Sequence, residues 1–188
     1  MATNELTETW DRFISGDDKA FVRLYKAHTQ FLYAYGMRFT SDSELVKDCI
    51  HDLFLKLYRD RKTIVRPQNI KVYLLVAFKN RLYNALNRSS RFQGLHSDEQ
   101  SFSFIHSVEE EFLENEAGRM ERERVESVLS VLSPRQREII YYRYIQELTL
   151  QEICLLMELN YQSVQNLIQK ALAKARSHLN VKNKGKGV

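Results

Sequence analysis

The sequence predicts an all-α chain: two small helical domains joined by an acidic linker. Three observations predict it. The 188 residues include only six Gly and two Pro, too few for a loop-rich or all-β chain. Apolar residues recur at three- and four-residue spacing in successive segments that open on helix-capping residues. Charge is also segregated: residues 92–118 hold seven acids (Asp98, Glu99, Glu109, Glu110, Glu111, Glu114, Glu116) and no Lys or Arg. The net charge of the whole chain is +4, so the remainder carries +11.

A short opening helix spans roughly Glu5–Ile14. Asp17 and Asp18 begin a second, with Phe21, Leu24, Tyr25, Phe31, Leu32 and Met37 in helical register. Ser41 with Glu44 reads as a capping box for a third helix reaching about Arg59. Pro67 interrupts the chain. Asn69 then caps a fourth helix carrying Ile70, Leu74, Leu75, Phe78, Leu82, Ala85 and Leu86. These four helices make an N-terminal domain of residues 1–91.

The linker, residues 92–118, loses helical periodicity, and its last part begins the next helix through a Ser107/Glu110 capping box. That helix reaches about Leu132. Ser133-Pro134 with Gln136 combines an N-cap, Pro in the first turn and a capping-box partner. Thr149 with Glu152 starts the next helix, and Asn160 caps the last. The second domain is thus residues 119–180, four helices counted from Ser107, and residues 181–188 are expected to form a disordered basic tail.

Composition excludes several classes. A hydrophobic content of 44% suffices for packed cores. No apolar run approaches the ~20 residues of a membrane span, and the polar, acidic N-terminus is unlike a secretory signal. The expected compartment is the cytoplasm. Cys49 and Cys154 lie in separate apolar helical patterns and are expected as buried thiols rather than a disulfide. His51-Asp52 has no second histidine nearby, and the consecutive Glu109–Glu111 cannot all face one metal. Hence no catalytic site, metal, cofactor or small-molecule substrate is expected.

The helix pair between Leu148 and Leu179 reads as a helix-turn-helix. Ile153 and Leu156 face inward on its first helix, and Val164, Leu167, Ile168, Ala171 and Leu172 on its second. The outer face of the second carries Gln162, Ser163, Gln165, Asn166, Gln169, Lys170 and, a turn later, Lys174. Amides at this spacing pair with adenine edges in a major groove, and lysines reach guanine or phosphate. No acid follows Glu158, which suits a polyanionic partner. An ordinary solvated face is the alternative.

Two N-terminal faces also stand out. Asp48, His51, Asp52, Leu55 and Arg59 share one side of the third helix, and the uncovered Leu55 among charges suits a protein contact. On the fourth helix Lys71, Lys79, Arg81 and Arg88 interleave with Tyr73, Tyr83, Asn80 and Asn84, a combination that grips phosphates and stacks unpaired bases. The preceding loop, residues 60–68, suits an extruded base. The alternatives are a solvated helix for the first face and core-edge tyrosines for the second.

These motifs resemble bacterial sigma factors of the two-domain extracytoplasmic-function (ECF) group. Asp48-Cys-Ile-His-Asp-Leu-Phe54 resembles the family's segment that docks on the β′ clamp helices of core RNA polymerase. His51 stands where the family usually has Gln. Tyr73-Leu-Leu-Val-Ala-Phe-Lys-Asn80 resembles its −10 element helix, with Tyr73 in place of Trp. Leu132-Ser-Pro-Arg-Gln-Arg-Glu138 resembles the lead-in to the second DNA-binding domain, and Leu148–Leu172 its −35 helix-turn-helix. Gln165 and Leu167 replace basic residues there.

The resemblance implies a subunit that binds core polymerase through the β′ clamp helices and the β flap, reads promoter −35 and −10 elements and promotes melting. It also implies an anti-sigma partner and a linker that threads the polymerase channels. That linker could also fold back on the basic domains of the free protein. The rival reading is a helix-turn-helix regulator that binds DNA without polymerase.

Overall fold

The structure, a computed structural model, describes residues 2–92, 102–103 and 116–184. All of its regular elements there are helical, and the chain divides into two compact units, Met1–Asp98 and Glu99–Val188. The Ser107/Glu110 capping box and the acids from Asp98 to Glu114 lie outside the described residues.

In the first unit, α1 (Ala2–Ile14), α2 (Asp18–Gly36), α3 (Ser43–Asp60) and α4 (Ile70–Phe92) pack around one apolar core. Asp17 caps α2, its Oδ1 accepting from the amides of Lys19 and Ala20 at 2.9 and 3.3 Å. Asn69 likewise accepts from Val72 at 3.2 Å to open α4. The start of α3 corrects the sequence reading: its cap is Asp42, whose Oδ1 accepts from Leu45 N at 3.0 Å, not Ser41. The carboxylate is the stronger acceptor for an amide at a helix N-terminus, and Glu44 turns instead to Lys47 at 2.7 Å.

Ile50, Leu53, Phe54 and Leu57 of α3 are all buried, as are Leu74, Leu75, Phe78 and Leu82 of α4. Beneath them α1 contributes more than a short opening helix suggests. Trp10 and Phe13 are fully buried, with Trp10 edge-on to Tyr73 at 5.7 Å between ring centroids. Gly36, at the end of α2, has no room for a side chain: a Cβ there would lie 2.7 Å from Val46 Cγ1 and 3.0 Å from Phe78 Cζ. Its absence lets α2 close onto α3 and α4.

His28 of α2 is buried, and its Nε2 has no hydrogen-bond partner among the described residues. Burial, reinforced by the charge of Lys71, pushes its pKa below the usual imidazole value of 6.5. Protonation therefore favours the unfolded chain: the stability tied to neutral His28 is complete above pH 6.5 and falls away as pH drops through the depressed native pKa. The thermal midpoint of the full chain should fall between pH 7 and pH 5, with a smaller fall in His28→Leu. Circular-dichroism melts with equal pH slopes for the two proteins would contradict this assignment.

The second unit contains α5 (Glu116–Ser130), α6 (Pro134–Ile140), α7 (Leu150–Met157) and α8 (Tyr161–Lys184). Both expected capping boxes form. Ser133 and Gln136 exchange bonds at 3.0 and 3.3 Å, and Thr149 and Glu152 at 2.9 and 3.3 Å. Asn160 accepts from Ser163 N at 2.8 Å to open α8. α6 runs on into a wide π-helical turn, Tyr141–Ile145, closed by Gln146 N donating to Tyr141 O at 3.0 Å. Apolar periodicity does not encode that turn. The turn between α7 and α8 places Glu158 in the left-handed region at φ 52°, costing about 1 kcal/mol for a residue with a Cβ.

Two expectations are corrected here. The segment expected to fray from residue 181 is helical to Lys184. No Gly or Pro lies between Pro134 and Gly185, and lysines near a helix C-terminus are favoured by its dipole. Cys49 is buried as expected, but Cys154 is only half-buried, and both are free thiols.

Candidate nucleic-acid and polymerase interface

Helix geometry divides each sequence-predicted N-terminal set in two. On α4, Tyr73, Asn80, Asn84 and Arg88 line one cleft together with Lys56, Asp60 and Asp52 of α3, Ile64 of the connecting loop, and Arg81. The cleft measures about 530 Å³. Asn80, Asn84 and Arg88 are exposed at its rim, while Tyr73 is half-buried and braced by Trp10. Burial, and then the charge of Asp60, raise the Tyr73 phenol pKa above 10. The ring is thus a neutral stacking surface with a polar edge.

Lys71, Lys79 and Tyr83 point elsewhere. Lys71 Nζ lies 4.6 Å from the centre of the Phe31 ring, and Lys79 Nζ 5.3 Å from that of Tyr83, which itself packs on Phe39 at 5.4 Å. Lys79 is only 9% exposed. These three brace α4 against α2 and the residues following it. Their stems and rings cover apolar surface, so they are not part of the exposed cleft. Arg81 and the start of the loop at Asp60 are legible in the sequence as neighbours of this helix, whereas Lys56 is not. Because Lys56 lies on α3, only the pairing of α3 with α4 brings it to the cleft.

The α3 face divides similarly. Asp48, His51, Asp52, Leu55 and Arg59 are all exposed. Asp52, however, accepts from Arg81 Nη1 at 3.0 Å and so belongs to the cleft side. His51 and Leu55 lie on the other side, in an apolar groove of about 370 Å³ shared with Phe21, Val22, Tyr25, Lys26 and Phe54. Leu55 is 41% and Val22 47% exposed, so the groove has an open apolar lip. Asp48 and Arg59 lie along the same helix outside both depressions.

In the second unit the helix-turn-helix geometry is direct. Ile153, Leu156 and Met157 of α7 are buried, as are Val164, Ile168 and Ala171 of α8, while Leu167 and Leu172 are half-covered. Gln162, Asn166, Gln169, Lys170 and Lys174 are exposed on α8, with Ser163 and Gln165 half-exposed at the edge. Gln162 Nε2 donates to Asn166 Oδ1 at 3.0 Å, so these two amides orient each other one turn apart. The Asn160 carboxamide takes up one free amide of the first turn, that of Ser163, and the remaining surface of α8 offers amide donors and acceptors flanked by cations. Exposed apolar residues Tyr144, Ile145 and Leu155 lie on the elements before it, and Tyr161 at its first position.

Among the described residues no cluster of His, Cys, Asp and Glu has the arrangement of a metal site, and no helix is long and apolar enough to cross a membrane.

Two family models match this chain. Sigma-70 region 2 matches residues 24–92 and Sigma-70 region 4 residues 122–174, together more than half of it. Two solved structures share the fold over nearly the whole length. The complex of CnrH with the cytosolic domain of CnrY matches with a TM-score of 0.59 at 20% identity, over 93% of this chain and 97% of that one. The sigma factor RpoE of Bartonella quintana, crystallised with the anti-sigma factor NepR, matches with a TM-score of 0.60 at 17% identity, over 87% and 98%. No curated protein matches at a significant level.

Proposed function

The chain belongs to the sigma-70 family, and from that premise we propose that it is a sigma factor of the extracytoplasmic-function type, working in the cytoplasm as a promoter-specificity subunit without catalysis of its own. The observation that carries this reading is the pairing of regions 2 and 4, in that order, with residues 93–121 between the two matches. Each region keeps an exposed face suited to its role.

The groove of His51, Leu55, Phe21 and Val22 would receive core RNA polymerase at its β′ clamp helices. Desolvating that open apolar lip supplies affinity, and the neighbouring Asp48 and Arg59 set orientation. The same lip would suit an anti-sigma factor, the kind of partner bound to the RpoE relative. The exposed face of α8 would read the −35 element as duplex.

The cleft between α3 and α4 would then hold a melted −10 strand. Tyr73 offers a ring to stack on, Asn80 and Asn84 offer amides for a base edge, and Lys56, Arg81 and Arg88 offer phosphate contacts. Binding only the single-stranded form shifts the duplex-to-open equilibrium, so the strand is trapped rather than chemically altered. Bond formation belongs to the polymerase.

The rival regulator reading predicts promoter binding by the chain alone. A mobility-shift titration separates the two. We expect a specific, heparin-resistant complex only when core polymerase is present. An equally specific and equally resistant complex of chain and DNA without core would favour the rival.

A further inference from the structure

Phe102 falls within a stretch that the sequence assigns to a linker, yet its side chain is 1% exposed in the second unit. Its ring lies 5.5 Å from that of Tyr141, itself buried at the start of the π turn. Arg137 of α6 holds the backbone at the same point. Its Nη1 donates to Phe102 O at 3.4 Å, while its Nε donates to Leu132 O at 3.1 Å. One guanidinium thus ties the incoming chain to the loop that leads into α6.

We propose that Phe102 is an anchor that docks the interdomain segment onto the C-terminal unit, so that the span connecting the two units is set by residues 93–101 alone. Burying a phenylalanine ring favours the docked state by roughly ten- to a hundredfold, and loop-closure cost grows only slowly with length.

The covalent consequence is large. Ten Cα steps separate Phe92, the end of α4, from Phe102, whereas 24 separate it from Glu116, the start of α5. Full extension over those steps reaches about 35 Å in the first case and about 80 Å in the second. Docking therefore more than halves the reach of one DNA-binding unit from the other. It also ties both ends of residues 103–115, with Glu109, Glu110, Glu111 and Glu114, to the C-terminal unit. If the chain reads two promoter elements, as proposed above, the anchor limits the spacer lengths the free protein can bridge.

Two insertions test the anchor without touching Phe102. A ten-residue Gly/Ser segment is placed either between Gly94 and Leu95 or between Ser103 and Phe104 of the full chain. Its own root-mean-square span is about 17 Å. Fluorophores go on the exposed positions of Ala27→Cys and Ala173→Cys, with Cys49 and Cys154 replaced by alanine. Energy transfer in the free protein should report a longer mean distance, by roughly 5–10 Å, for the first insertion and no change for the second.

Adding Phe102→Ala should make the two insertions equivalent; Phe102→Leu, which keeps the core filled more fully, should do so in part. Equal lengthening by both insertions with Phe102 intact would overturn the anchor. The measurement needs neither polymerase nor DNA, so its outcome is independent of whether the chain is a sigma factor.

Discussion

Leu55→Glu should lower the affinity of the chain for core RNA polymerase by a factor of about 100 or more, a loss typical of a central interface position. Leu55 is 41% exposed at the lip of the α2–α3 groove, beside Val22, Tyr25, Phe54 and His51. A carboxylate there would have to be desolvated against apolar side chains whenever a partner covers the groove, and Lys26 at the edge and Arg59 one turn along α3 offset only part of that cost. In the free protein the same carboxylate points to water, so the thermal midpoint should move by no more than about a degree or two. Fluorescence anisotropy with labelled core, alongside a melt of the variant, separates the two effects. Binding within threefold of the parent would remove this groove from the polymerase interface.

The triple variant N80A/N84A/R88A should bind core polymerase normally but lower promoter opening by about 100-fold. Each deletion removes an exposed polar contact worth on the order of 1 kcal/mol to a bound strand, and none of the three contributes to the domain core. Tyr73 is a poorer choice for this test, because its contact with Trp10 ties it to the packing of α1. Permanganate reactivity of thymines across the −10 region reports the opened fraction directly. Unchanged reactivity with the variant would exclude this cleft as the trap. Loss of core binding as well would place these residues at the polymerase contact instead.

How much of the structure is legible in this sequence follows the range of the forces involved. Helix starts at Ser133, Thr149 and Asn160 were legible because a cap is a contact between residues three apart, written wholly in the local sequence. Burial of Ile153, Val164 and Ile168 was legible for the same reason: periodicity names the inner face of a helix. Asp42 in place of Ser41 shows the limit even locally, where two competing acceptors stand side by side.

Which outer face meets which neighbour is decided by tertiary packing, and there the sequence grouped residues that the fold separates. Lys79 shares a helix with Asn80, but it lies over Tyr83 and is buried, while Asn80 faces the cleft. Asp52 adjoins His51 in sequence, yet Arg81 draws it to the opposite depression. Phe102 carried no periodic signal at all, since one aromatic residue in an aperiodic stretch shows its burial only when the surface receiving it is known. The wide turn at Tyr141–Ile145 is likewise invisible to an apolar repeat. Several of the linker acids that the sequence made prominent fall in residues 104–115, outside the described residues.

As a sigma factor, this chain gives core polymerase the ability to start at a promoter. Run-off transcription from a library of promoter templates, using core enzyme with and without the chain, tests it most directly. Discrete run-off products should appear that require both proteins and vanish with Leu55→Glu. Products independent of the chain, or none with any of several core enzymes, would contradict it.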